Sequence, residues 1–280
     1  MVNQPIQFDP AQFDQDKKLL SQQQLPIGWR WIASSKTTKV AYNESHSIYF
    51  KEFLPRSRLE RIKSIIKGSR CSRAISIATI MHESGLNTPK VLSSGNLDNG
   101  HEYLVTEGIF GVGITSYLAS YLRRTNDSAV INWKRKVITA LGEEIGKLHA
   151  KKIIHGDLRP NNVLIKLGES RPTFYFIDND RSFRWYFQPP EHRLVKNLVQ
   201  IGMLFPIDIS KTDRLRFWRA YCNQNPRYSN NQQQTRVANK IYQLTVNRLT
   251  NSPHYKPKQP DLPPQYLTDG LVVPAKSDTL

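Results

Sequence analysis

IIHGDLRPNNVLI, residues Ile153–Ile165, and FYFIDND, residues Phe174–Asp180, decide how the rest of this chain is read. The first stretch spells His155-x-Asp157-Leu158-x-x-x-Asn162 between two short apolar runs. The second closes the run Phe174–Ile177 on Asp178, 21 residues after Asp157. A lone His-x-Asp is a common solvated turn; the full spacing, bracketed by apolar runs and followed by a third run ending in acid, is much rarer by chance. The residue types suit one division of labour. A hydroxyl that is to attack needs a carboxylate beside its proton, which Asp157 can supply. A Mg²⁺ bridging nucleotide phosphates needs oxygen ligands from separate segments, which Asn162 and Asp178 can supply.

That spacing is the pattern of a kinase catalytic loop followed by its metal-binding aspartate. Upstream, Ser47–Leu54 (SIYFKEFL) places Lys51 inside an otherwise apolar and aromatic strand. A mid-strand lysine is usually an edge residue. Here it stands about a hundred residues before the catalytic loop and ahead of a helix, where a phosphate-holding lysine belongs. Two features depart from a protein kinase. No G-x-G-x-x-G precedes Lys51, and the covering turn is Ala33–Val40 (ASSKTTKV), so the phosphates are expected to be held more loosely, or by Ser and Thr hydroxyls. The residues after Asp178 are Asn179-Asp180 instead of Phe-Gly, which argues against a segment that flips between active and inactive states.

Outward from these stretches, residues 1–24 are rich in Gln and Asp and are expected to be poorly ordered. Residues 25–108 form an N-terminal lobe. Short β runs (Trp29–Ala33, Lys39–Tyr42, Ser47–Leu54) lead into helical pieces over Arg56–Ser84, the second carrying Ala74, Ile77, Ala78 and Met81 at helical spacing. Asn99-Gly100 signals a hairpin before the strand Tyr103–Glu107. GIFGVG, 108–113, reads as a hinge. Residues 109–225 form a C-terminal catalytic lobe with helices over 114–152, a hairpin from Val163 to Ile177, and helices around HRLVKNLVQIGML and Asp213–Cys222. In the helix before the catalytic loop, Val137, Leu141, Ile145 and Leu148 make one apolar stripe, and His149 reads as a partly buried structural histidine. Residues 226–280 are a polar, Pro-rich tail with room for one more helix. The fold class is therefore α+β, a two-lobed protein-kinase-like fold with a β-rich N-lobe bearing one helix and a mainly helical C-lobe.

Lysine and arginine number 40 against 23 acids, a formal charge of +17, which favours anionic partners and says nothing of fold. Cys71 and Cys222 have no motif spacing and are read as free thiols of a reducing compartment. The first residues lack the signature of a secretory signal, and no run reaches the length of a membrane span. A cytoplasmic protein, or one peripheral on a membrane facing the cytosol, is expected.

The chain resembles the lipopolysaccharide kinase family, bacterial enzymes that phosphorylate Kdo or heptose sugars of the lipopolysaccharide inner core. The resemblance runs over about residues 30–222. It rests on the strand with Lys51, on SRAISIATIMHESGLNTPKVL, on LHAKKIIHGDL with Asn162 downstream, on FIDNDR with Asp178, Asp180 and Arg181, and on RLRFWRAYC. It implies ATP and Mg²⁺ as cofactors and a sugar hydroxyl as acceptor. Carried over by position, it implies that Asp157 and Arg159 are catalytic, that Lys51 and Glu107 bind ATP, and that Asn162 and Asp178 hold the metal. For Arg159, pairing with a carboxylate or a loop carbonyl stays open beside a role at the γ-phosphate. His155 reads as a packing and hydrogen-bonding element of the loop. Glu60 and Glu83 are the candidates for an acidic partner of Lys51. The implied partners are lipopolysaccharide core or another anionic glycolipid and an anionic membrane surface, with no specific nucleic acid. An atypical serine/threonine protein kinase shares every one of these residues. A pseudokinase or nucleic-acid-binding scaffold is the third reading, disfavoured by the complete set Lys51, Asp157, Asn162 and Asp178.

Overall fold

The computed structural model describes residues 9–32, 34–55, 68–123, 126–166 and 170–251. The first of the two expected helical pieces, with Glu60, lies outside them, as does the chain beyond 251. The chain divides into two compact units, one of residues up to His82 plus Thr88–Ile109, the other of Glu83–Asn87 plus the chain from Phe110 onward.

The first unit is an antiparallel five-stranded sheet in the order β1-β2-β3-β5-β4. Its strands are β1 (Trp29–Ile32), β2 (Thr38–Asn43), β3 (Ile48–Phe53), β4 (Val91–Asn96) and β5 (Glu102–Glu107). Side chains alternate across such a sheet, and each face has found a helix. On one face Ile48, Phe50, Ala41, Tyr103 and Val105 meet Phe13 and Leu20 of helix α1 (Pro10–Ser21). On the other, Phe53 and Leu104 meet Cys71 and Ala74 of helix α2 (Arg70–Glu83). Residues 10–21 thus correct the expectation of a poorly ordered start. The segment is polar overall, yet Phe13, Leu20 and the Asp16 carboxylate (accepting from Trp29 Nε1 at 2.8 Å) suffice to fasten it. Helix α2 buries the predicted Ala74, Ile77, Ala78 and Met81. The β4–β5 hairpin closes through Leu97 N–H to His101 O at 2.8 Å, with Gly100 at φ +76°.

The second unit is mainly helical: α3 (Ile114–Tyr121), α4 (Ser128–Ala150), α5 (Glu191–Ile201), α6 (Lys211–Gln224) and α7 (Asn231–Thr250). Asp127 caps α4, accepting from the Ala129 and Val130 amides, and its stripe Val137, Leu141, Ile145, Leu148 is buried as read. Helix α6 lies so close that a Cβ on Gly142 or Gly146 would stand 2.4 Å from Phe217 O or 2.7 Å from Tyr221 O. Part of GIFGVG is not a hinge: Gly111–Gly113 is a strand, β6, paired with β8 (Val163–Lys166), which pairs in turn with β9 (Phe174–Phe176). The residue signal was two glycines; the buried Val112 between them decides the pairing. The further helix for which the polar tail left room is α7, which packs on α5 and buries Val237 and Thr245. No helix among the described residues is long and apolar enough to cross a membrane.

Candidate active site

The catalytic-loop stretch leaves strand β7 (Ile153–Ile154), which pairs with β10 (Phe183–Arg184), so the loop and the segment after Asp178 are tied from the start. His155 is fully buried between them. Its Nδ1 accepts the Asp157 N–H (3.1 Å) and its Nε2 donates to Ile177 O (3.0 Å), which fixes one neutral tautomer. Burial pushes its pKa down, against the pull of the hydrogen bond to Ile177 and of nearby Asp178, Asp157 and Asp180. The loop histidine is therefore a structural bolt, as expected. The residue after it must be small: a Cβ on Gly156 would stand 2.2 Å from Arg181 Cβ.

Asp157, Asn162 and Asp178 are linked by short steps. Asn162 Nδ2 donates to Asp157 O at 2.8 Å, and Ile177 N–H donates to Asn162 O at 3.0 Å, so the residue before Asp178 is pinned to Asn162. Asp178 itself turns the chain in the left-handed region, at φ 61° and ψ 49°. Next to it Asn179 is buried, with its Nδ2 on Phe176 O (3.1 Å), while Ser182 Oγ accepts from Gly156 N–H (3.2 Å).

The Asp157 carboxylate has two partners. Arg159 Nε stands 2.9 Å from Oδ1, with the arginine side chain largely exposed, so the carboxylate pairing left open by the sequence is the arrangement observed. The second is Gln200, whose Nε2 donates to the same oxygen at 3.0 Å. Gln200 was not singled out by sequence. It ends a buried chain of hydrogen bonds in which every donor is determined. Asn225 Nδ2 donates to Tyr221 Oη (2.9 Å), and Tyr221 Oη donates to His149 Nδ1 (3.0 Å). His149 Nε2 donates to Asn197 Oδ1 (3.2 Å), and Asn197 Nδ2 donates to Gln200 Oε1 (3.1 Å). Asn197 also clamps the loop backbone, accepting from His155 N–H at 3.1 Å and donating to His155 O at 2.8 Å. The available signal was a pair of amides three residues apart on the apolar face of an amphipathic helix, positions that bury polar groups only when something needs bonding.

In the first unit Lys51 sits at the centre of β3, opposite Leu104 of β5 and so on the face that α2 covers. Its ammonium lies 5.4 Å from the centre of the Phe53 ring. Glu107 ends β5 with its carboxylate accepting from Lys90 N–H at 2.9 Å, a strand-end tie that sequence did not suggest. The turn expected to cover phosphates is stapled by its own hydroxyls: Ser35 Oγ lies 2.9 Å from Thr38 Oγ1 and accepts from Thr37 N–H. Arg70 Nη1 holds Thr37 O at 2.8 Å. Glu83, the exposed last residue of α2, falls in the second unit.

Comparisons with known proteins agree with this layout. Among solved structures, WaaP in complex with acyl carrier protein superposes with a TM-score of 0.54 at 16% identity, over 77% of this chain and 88% of that one. WbdD superposes at 0.51 and 18% identity, over 80% of this chain and 51% of that one. These likenesses establish the fold as protein-kinase-like. Two curated relatives match in sequence. The KEOPS complex subunit Bud32 of Pyrococcus abyssi is 29% identical over 123 residues, 44% of this chain, and that of Debaryomyces hansenii 26% over 130. The matches span about half the length of those relatives. The Lipopolysaccharide kinase (Kdo/WaaP) family profile matches residues 35–221, and the chain belongs to that family.

Proposed function

We propose that this chain is an ATP-dependent phosphotransferase that phosphorylates a sugar hydroxyl, of Kdo or heptose, in lipopolysaccharide core. The observation that carries the reading is the support given to Asp157, with its carboxylate on Gln200 and Arg159 and its carbonyl on Asn162. In this reading Asp157 accepts or orients the proton of the acceptor hydroxyl. Asn162 and Asp178 hold Mg²⁺. The fit is good: the Asn162 amide nitrogen is committed to Asp157 O, which turns the amide oxygen away from that carbonyl. Two oxygens from two segments are what Mg²⁺ takes from a protein when substrate phosphates supply the rest. The metal, when bound, neutralises charge on the phosphates. Lys51 supplies a cation for the α- and β-phosphates, and Glu107 belongs to the strand end beside the nucleotide. Arg159 has a second task open to it, since an exposed guanidinium next to the base can turn to the γ-phosphate as charge spreads there. The acceptor is an anionic glycolipid, so the chemistry takes place at the surface of an anionic bilayer.

The test is incubation with labelled ATP and either purified core lipopolysaccharide or a panel of proteins. Label should enter the oligosaccharide, and Lys51→Met and Asp157→Ala should each abolish most of it. Transfer to protein alone would replace the sugar reading with that of an atypical protein kinase. No transfer to either would leave a scaffold.

A further inference from the structure

The segment between β10 and α5 carries an aromatic tip that the phosphotransfer reading does not use. Tyr186 and Phe187 are 88% and 78% exposed, the two rings meeting edge to face at 5.3 Å. The backbone beneath them is tied down. Trp185 N–H donates to Lys152 O at 2.8 Å, Lys152 Nζ reaches Tyr186 O at 3.3 Å, and Arg227 Nη1 holds Pro189 O at 2.6 Å. The rings are thus held outward by a fixed base. Near that base in sequence the exposed charges are basic: Arg181 and Arg184 before the tip, Arg193 and Lys196 after it, and Lys151 on the turn it is bonded to, next to the half-buried Lys152. The acid between 181 and 196, Glu191, is paired with Arg236 at 2.8 Å.

We propose that this tip is a membrane anchor, and that its partner is an anionic bilayer surface. Aromatic side chains partition to the boundary between headgroups and acyl chains, and basic residues beside them are drawn to anionic headgroups. A protein partner would ask for a broad complementary face, whereas this is a narrow protrusion of two rings within a positive rim, carried by a chain of net charge +17. The tip leaves β10 where that strand pairs with the start of β7, beside Lys152, and the catalytic loop leaves the other end of β7 at His155. The anchor goes beyond the phosphotransfer reading, and its test needs no ATP, so either can fail alone.

The experiment is co-sedimentation of the full chain with vesicles free of any glycolipid, phosphatidylethanolamine with phosphatidylglycerol against phosphatidylcholine alone. Binding should be at least tenfold tighter to the anionic vesicles and should weaken as salt is raised. The double variant Tyr186→Ser/Phe187→Ser should lose at least tenfold in affinity with an unchanged circular dichroism spectrum, and Tyr186→Trp/Phe187→Trp should restore it. Arg184→Glu/Arg193→Glu should erase the preference for anionic lipid. Equal binding to both vesicle types, an unaffected serine variant, or binding to an acidic protein such as acyl carrier protein with none to vesicles would each overturn the proposal.

Discussion

Asp157 receives a hydrogen bond from a neutral amide and an ion pair from an arginine on the same oxygen, which leaves the other oxygen to meet an incoming hydroxyl. Removing the carboxylate in Asp157→Ala should cost about 10²–10⁴ in turnover, read by steady-state kinetics, the usual span for a positioned acid–base group. In the proposed reaction Gln200 acts through Asp157, as a positioning residue. Gln200→Glu sets a second carboxylate 3 Å away, and two like charges so close raise one pKa. The acid limb of the pH–rate profile should therefore move upward by about one unit, which a merely structural residue would not do. Asp157, Asn162 and Asp178 could be named as candidates because they lie on one short continuous stretch whose spacing the proposed chemistry dictates. Gln200 was not, because it arrives 43 residues later on another helix and nothing local marks its target.

At the scale of elements, the contact that orders the helical unit is that of α4 with α6, and it depends on two absent side chains. Gly146→Ala forces Cβ to within 2.7 Å of the Tyr221 carbonyl, and overpacking of this kind should cost about 1–3 kcal/mol in urea denaturation. The stripe at 137, 141, 145 and 148 told which face of α4 is buried, but periodicity is silent on how near the partner helix comes. The same helix carries His149, which joins α4, α5 and α6. Burial pulls its pKa from 6.5 down to about 4, with the hydrogen bond to Asn197 opposing. Between those values the unfolded chain binds more protons than the folded one. The stability this neutral imidazole confers is full above about pH 6.5 and is lost as pH falls towards 4, by about 3 kcal/mol in all. Buried His155 acts in the same direction. Urea midpoints at pH 7.5 and pH 5 should differ markedly in the wild type and less in His149→Gln. The strand β6 escaped the sequence reading because three residues are too few to show alternation, and glycines on either side imitate a hinge.

For the molecule as a whole, composition foretold size and charge well and order at the N-terminus poorly. A stretch such as residues 10–21 needs only two apolar side chains at the right angle to complete a sheet face, and averages over composition dilute them. Phe13 touches Trp29, Phe50 and Tyr103, with ring centres 5.9–6.3 Å apart. Phe13→Ala should remove about 3–5 kcal/mol from the first unit, seen as a lower melting temperature. The kinase-like architecture was legible because its two lobes differ in pattern, short alternating runs before residue 108 and amphipathic helices after it. The exposed tip was not, since rings such as Tyr186 and Phe187 look in sequence like any core aromatics.

Asn179 grips Phe176 O from a buried position, directly after the proposed metal ligand, and Ser182 closes the same turn onto Gly156. A compound that works by trapping the swung-out form of the equivalent segment in regulated kinases would have to tear this lattice apart before finding room. Inhibitor libraries built around the displaced form should accordingly return few hits against this chain.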